Sequence, residues 1–225
     1  MVSVLLVFLA LICTLGSGCG GRDHPSATAD ARVEVLADAY LDAYFERYPE
    51  EATVYGVPGR RHDRLTDNSL TSLAAWETRV DDWLAQARAI DPGAAAAPLR
   101  ATHAIVREAL EGATASRVCR VEPWPVSQMT GWQVGYGYLA TIQPVGTREA
   151  RDAALARWGA LPAYIDTEIA NLREGLRRGH SSPKPIVRIV IDQVAGLAGG
   201  ADPPLRSPAE RDDPIAGTCS RTATS

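Results

Sequence analysis

Lysine is nearly missing from this sequence: Lys184 is the only one among 225 residues. Lysine nucleophiles and Schiff-base chemistry are therefore close to excluded. The remaining basic residues are arginines, and they form no long run. Arg60, Arg61 and Arg64 fall in a loop, and Arg173, Arg177 and Arg178 close a helix, where positive charge complements the helix dipole. With a net charge of -4 and no clustered basic face, nucleic acid is not expected as a partner. Histidine is equally sparse: His24, His62, His103 and His180, none of which opens an H-E-x-x-H pair. The serine-hydrolase elbow G-x-S-x-G and the phosphate-cradling G-x-x-x-x-G-K-[ST] are also absent. Cys and His spacing suggests no metal knuckle. No position is therefore assigned as a catalytic residue, a cofactor contact or a metal ligand.

What is present begins with an apolar run over residues 2–15, with no charged residue before Arg22. It is short for a membrane span, which takes ~20 residues, but it suits the core of an export signal. Gly16, Ser17 and Gly18 precede Cys19, which resembles a bacterial lipobox. Leu15 sits one place too early for that pattern, and the cationic n-region is missing. A competing cut follows Ala27-Thr28-Ala29. The expected organisation is a lipoprotein-type signal over 1–18, lipidation at Cys19 and a polar tether over 19–30. The location would be the periplasm or the outer face of the cell envelope. The membrane would then be a partner through an acylated Cys19, held firmly because more than one chain is attached. Of the other cysteines, Cys119 reads as a buried free thiol, although an oxidising compartment would permit a bridge to Cys219.

From 31 to 200 the periodicity is helical, with no convincing strand, so the fold class is all-α with about five or six helices. Val33, Leu36, Tyr40, Tyr44 and Tyr48 recur at three- and four-residue steps, with Asp30 placed to cap the start and Pro49 to end the helix. Such an aromatic stripe is expected to be core. Residues 50–55 suit one short extra turn of helix. Asp67 or Ser69 opens a second helix carrying Leu73, Trp76, Val80, Trp83, Leu84 and Ala87 on one stripe. The adjacent Asp81 and Asp82 are read as solvated, because neighbouring helical positions point apart. A third helix spans 98–111, with His103 on its apolar face as a satisfied core histidine and Gly112 after its end.

Residues 113–147 lack sustained periodicity, yet they contain Trp124, Trp132, Tyr136 and Tyr138, with a short helix over 129–142. Loops of that length usually carry function or pack onto another element. Residues 135–140 spell G-x-G-x-x-A, but a dinucleotide site needs a preceding strand, and none is present. Leu155, Trp158, Ile165, Ile169, Leu172 and Leu176 then keep one phase across Pro162, which predicts a kink or two helices meeting there. Glu174 and Arg178 form an i,i+4 pair, and Gly179 ends the run. A last helix follows Pro183 with Val187, Val190, Ile191, Val194 and Leu197 inward. The segment 201–225, with four prolines and little to bury, is expected to be disordered or aberrant.

Several phrases occur in a recognisable order. Tyr48-Pro49-Glu50-Glu51-Ala52-Thr53 comes first, then Trp124-Pro125-Val126-Ser127-Gln128-Met129 and Gly131-Trp132-Gln133-Val134. Gln143-Pro144-Val145-Gly146-Thr147, Arg157-Trp158 and Leu161-Pro162-Ala163-Tyr164-Ile165-Asp166 follow. Asn171-Leu172-Arg173-Glu174-Gly175-Leu176, Gly179-His180, Ser182-Pro183 and Ile191-Asp192-Gln193 complete the series. Together they resemble the bacterial family called domain of unknown function 885, over roughly residues 33–197, whereas 215–225 do not look like it. The resemblance implies a largely helical, often exported or lipid-anchored protein grouped with H-E-x-x-H zinc metallopeptidases. The metal motif of such proteins lies far downstream of the region matched, in chains several hundred residues longer. It implies zinc and a peptide substrate for a complete protein, and no ligand can be carried to a numbered position here. The leading expectation is an N-terminal helical portion, inactive without its C-terminal catalytic half and truncated or frame-shifted. In it, Trp124, Trp132, Tyr136 and Tyr138 would wall a substrate cleft. The rival is a self-sufficient periplasmic lipoprotein that binds a ligand or protein partner between its helices.

Overall fold

A computed structural model describes residues 28–119, 126–199 and 204–212, and among these there is no strand. Helix α1 (Ala29–Arg47) starts on Thr28, whose Oγ1 accepts the Ala31 amide at 3.2 Å. Thr28, not Asp30, is thus the cap. Asp30 instead accepts the Ala96 amide at 2.8 Å, tying the start of α1 to the start of a later helix. Pro49 ends α1 and also opens α2 (Pro49–Val54), where its missing N–H costs nothing. Helix α3 (Leu70–Arg88) is capped by Ser69, which accepts the Ser72 amide at 3.2 Å. Helix α4 (Ala97–Ser116) runs five residues past the expected end at Glu111. Gly112 does not stop it, because Ala113, Thr114 and Ala115 continue the helix and Ala113 packs on the core. A glycine inside a helix costs about 1 kcal/mol, which such packing offsets.

Helices α1, α3 and α4 enclose an apolar core built on Val33, Leu36, Val80, Leu84, Val106 and Leu110. The aromatic stripe of α1 belongs to it: Tyr40 meets Trp83 edge-on at 5.8 Å between centroids, and Tyr48 meets Trp76 likewise at 5.8 Å. His103 is 3% exposed, and its Nε2 lies 2.8 Å from the Ala87 carbonyl, a satisfied core position. Asp81 stays exposed but is paired with Arg117 at 2.8 Å.

The second half is assembled around α5 (Trp132–Ile142). The G-x-G-x-x-A run lies inside this helix, and among the described residues no strand precedes it. Helices α6 (Arg148–Gly159) and α7 (Leu161–Arg177) meet at Pro162 as two separate helices, with the Ala160 amide bonding back to Ala156. Gly179, at φ +83°, closes α7, and α8 (Lys184–Gly199) follows. The helices outnumber the five or six expected, because α2 and a C-terminal turn are short and Pro162 divides one run in two.

Residues 204–212, expected to be disordered, form a 3-10 turn (Pro204–Arg206) and α9 (Ser207–Arg211) packed on α5. Two of their charges, Arg211 and Asp212, have partners within the fold. Arg211 donates to the Ala140 and Gln143 carbonyls at 2.8 Å, closing the C-terminal end of α5. Asp212 accepts the Gly146 amide at 3.0 Å and pairs with Arg151. Cys119 is exposed, not buried, because it sits in a 3-10 turn (Arg117–Cys119) beyond the core-facing turns of α4. Cys19, Trp124, Cys219 and residues 213–225 lie outside the described residues, as does the signal segment. No described helix is long and apolar enough to cross a membrane.

Candidate functional site

The buried centre of the second half is polar. Arg157 of α6 is 0% exposed, and among the described residues no carboxylate pairs with it. Its Nε donates to the Arg64 carbonyl at 2.9 Å and its Nη2 to the Pro49 carbonyl at 3.2 Å. Its Nη1 donates to Thr53 Oγ1 at 2.9 Å and to Gln143 Oε1 at 2.8 Å. The planar guanidinium fork thus clamps α2, the 55–69 loop and the end of α5 onto α6. Burial pulls the Arg157 pKa down, and the charges of Glu50 and Asp63 oppose that pull. His62 lies 2.8 Å from Thr53 Oγ1, and its pKa is lowered by burial first and by Arg157 second.

Glu50, in the first turn of α2, faces the other way. Its carboxylate accepts the Thr66 amide at 2.7 Å, the Thr66 hydroxyl at 2.6 Å and the Tyr136 hydroxyl at 3.0 Å. Tyr136 packs against Tyr164 at 5.1 Å between centroids. Burial, reinforced by Glu50, raises the Tyr136 pKa far above the phenol range, so the hydroxyl stays a neutral donor. Asn68 then donates to the Tyr164 hydroxyl and to Glu168 Oε1, both at 3.0 Å, while Asn171 donates to the Asn68 carbonyl at 2.8 Å. Burial raises the pKa of Glu168 and, together with the Glu168 charge, that of Tyr164.

On this frame rests an open cleft of about 460 Å³ between α2, α5 and α7. Trp132, Tyr136 and Tyr138 all line it, with Tyr48, Tyr164, Glu50 and Glu51. Tyr138 is largely exposed, whereas Tyr136 is buried with its hydroxyl committed to Glu50. Three of the four aromatics expected to form a wall are thus brought together. Sequence reasoning assigned no role in the site to the carboxylates or to Arg157. The signal was nonetheless present: Pro49, Glu50 and Thr53 belong to one shared phrase, and Gln143, Arg157 and Tyr164 to others.

Those phrases acquire meaning from a comparison. The model of a family described as bacterial protein of unknown function (DUF885) matches residues 49–223. The chain belongs to this family. No curated protein matches the sequence. The DUF885 match starts at Pro49, so α1 precedes it, and it includes every residue of the Arg157 and Glu50 networks. It also extends through α9 to residue 223, which corrects the expectation that 215–225 depart from the family. For the zinc that the resemblance implies, the described residues do not fit. They contain no group of three or more His, Cys, Asp or Glu side chains able to hold a metal ion.

Proposed function

We propose that this DUF885 chain supplies the helical wall of a peptide-binding cleft in an exported, zinc-peptidase-like protein. The observation that carries the reading is the cleft over α2, α5 and α7. Its aromatic lining stands on a largely hydrogen-bonded frame. The hydroxyl–carboxylate pair on it, Thr66 with Glu50, is held further by the Thr66 amide and the Tyr136 hydroxyl, and among the described residues there is no metal donor set. A surface of this kind positions a substrate but does not transform it. The chemistry would come from an H-E-x-x-H portion that these 225 residues do not contain. Wide apolar surface supports a docked partner segment: Leu176 of α7 and Ile191 of α8 are 65% and 60% exposed. Anchoring through Cys19 would hold the assembly at the envelope.

The test has two arms. The purified chain, supplied with zinc and a fluorogenic peptide library, is expected to show no turnover; hydrolysis would sink the reading of an inactive part. The gene is then read beyond codon 225 in all three frames. An H-E-x-x-H helix there, and peptidase activity in the joined protein, are the expected result. Membrane fractionation of wild type against Cys19→Ser checks the anchor, with release of the variant expected.

One observation favours a second reading, a self-sufficient lipoprotein that binds a ligand. The α1–α3–α4 core is apolar and closed on itself. That reading predicts a cooperative melt for the isolated chain and no binding of a hydrophobic dye.

A further inference from the structure

The cleft lining contains two carboxylates and several aromatic rings but no Lys, Arg or His. The two carboxylates are not equivalent. Glu50 is saturated by Thr66 and Tyr136, and the buried Arg157 lies behind it and offsets its charge. Glu51 is different: among the described residues no side-chain hydrogen bond or ion pair engages its carboxylate. Its charge is felt by Tyr44, whose pKa is raised to about 12 by burial first and by Glu51 second. A carboxylate without a counter-ion, beside Trp132 and Tyr138, leaves the cleft with unbalanced negative charge and electron-rich ring faces. Both attract a cation, and a guanidinium or ammonium group meets both at once. The molecule already uses such contacts, one of them on Tyr48 of this same lining. Arg47 lies over the Tyr48 ring at 5.5 Å, and Arg79 lies over the Trp83 ring at 4.7 Å.

We propose that this cleft is a subsite for a positively charged peptide side chain, with Glu51 as the ion-pairing residue and Trp132 and Tyr138 as the aromatic walls. The peptide nature of the ligand rests on the function proposed above; the selectivity for positive charge does not. An anionic group would meet Glu51 with no compensating cationic side chain in the lining, and a neutral one would leave that carboxylate unpaired. The site therefore discriminates by charge rather than by size. Trp132 reports occupancy directly, because its ring lines the cleft.

The test is a titration of the purified chain at low salt, followed by tryptophan fluorescence and calorimetry. The probes are acetyl-Ala-Arg-Ala-amide and its citrulline counterpart, which has nearly the same shape and no charge. The arginine peptide is expected to bind at least tenfold more tightly, with an advantage that shrinks as salt is raised. Glu51→Gln is expected to reduce that advantage to about twofold without moving the thermal melt. Trp132→Ala is expected to weaken both peptides. Equal affinities, or discrimination that survives in Glu51→Gln, would overturn the proposal. Selective binding together with an inactive joined protein would leave the cation subsite standing and remove the peptidase reading. Peptidase activity without charge discrimination would do the reverse.

Discussion

Arg157 illustrates how a single side chain can be indispensable without a salt bridge. Its donors satisfy carbonyls of two segments and two side-chain oxygens in places water does not reach. Each buried acceptor left unpaired costs about 1–3 kcal/mol. Arg157→Met is therefore expected to lower stability by roughly 3 kcal/mol or more, read as a fall in urea midpoint at unchanged slope. Arg157→Lys should recover little, because an ammonium has three donors and no planar fork. Glu168 makes a different prediction, about pH. Its pKa in the fold lies above the ordinary 4.5, so the native state holds its proton more tightly than the unfolded chain does. Its contribution is then fully favourable below the unfolded pKa and is lost as pH rises through the raised one. His62, lowered by burial, acts with the opposite sign, losing stability as pH falls below 6.5. Urea midpoints between pH 4 and 7 should therefore rise more steeply with pH in Glu168→Gln than in wild type. An unchanged slope would mean that Glu168 titrates alike in both states.

At the scale of elements, polar hooks do work that apolar faces do elsewhere. No residue of α8 is buried, and Gln193 secures it: it accepts from Gln133 of α5 at 2.9 Å and donates to the Gln128 carbonyl at 3.0 Å. Gly131 makes room for this bridge. A Cβ there would fall 2.2 Å from Gln133 Oε1 and 2.5 Å from the Ser127 carbonyl, with the backbone in an ordinary conformation. Gly131→Ala is thus expected to displace Gln133, cost about 1–3 kcal/mol by overpacking, and speed amide exchange in α8. Protection of α8 equal to wild type would show that the bridge does not hold it. These elements also show what the sequence made legible. Ser69, Thr147, Pro162 and Gly179 marked helix ends because capping and proline geometry are local. The passage of α4 through Gly112 and the folding of 204–212 depend on tertiary contacts, so composition misjudged both. In the cleft, the aromatic residues were legible as an unexplained cluster. The Tyr136–Glu50 pair was not, because 86 residues separate its members and periodicity carries no signal across that distance.

The whole molecule is asymmetric. Its first half, α1, α3 and α4, is joined by an apolar core, whereas α7 buries Glu168, Asn171 and Gly175 and leaves Leu176 outside. Exposed apolar residues on α7 and α8 predict self-association in the isolated chain. The double substitution Leu176→Glu with Ile191→Glu should shift sedimentation toward the monomer and reduce hydrophobic-dye fluorescence, with little change in helical content. If the wild-type chain is already monomeric and dye-free, those faces are not an interface.

The Arg157 clamp also sets an order of events during synthesis. Its partners Pro49 and Thr53 lie 108 and 104 residues earlier in the chain. A ribosome adding ~5–20 residues per second needs about 5–20 s to cover that distance. Only once Ser116 has been added, late in that interval, are α1, α3 and α4 complete enough to close their core, while the 49–64 stretch still lacks the guanidinium that will organise it. That stretch is therefore the last part of the first 116 residues to be fixed in place, and arrival of α6 fixes it.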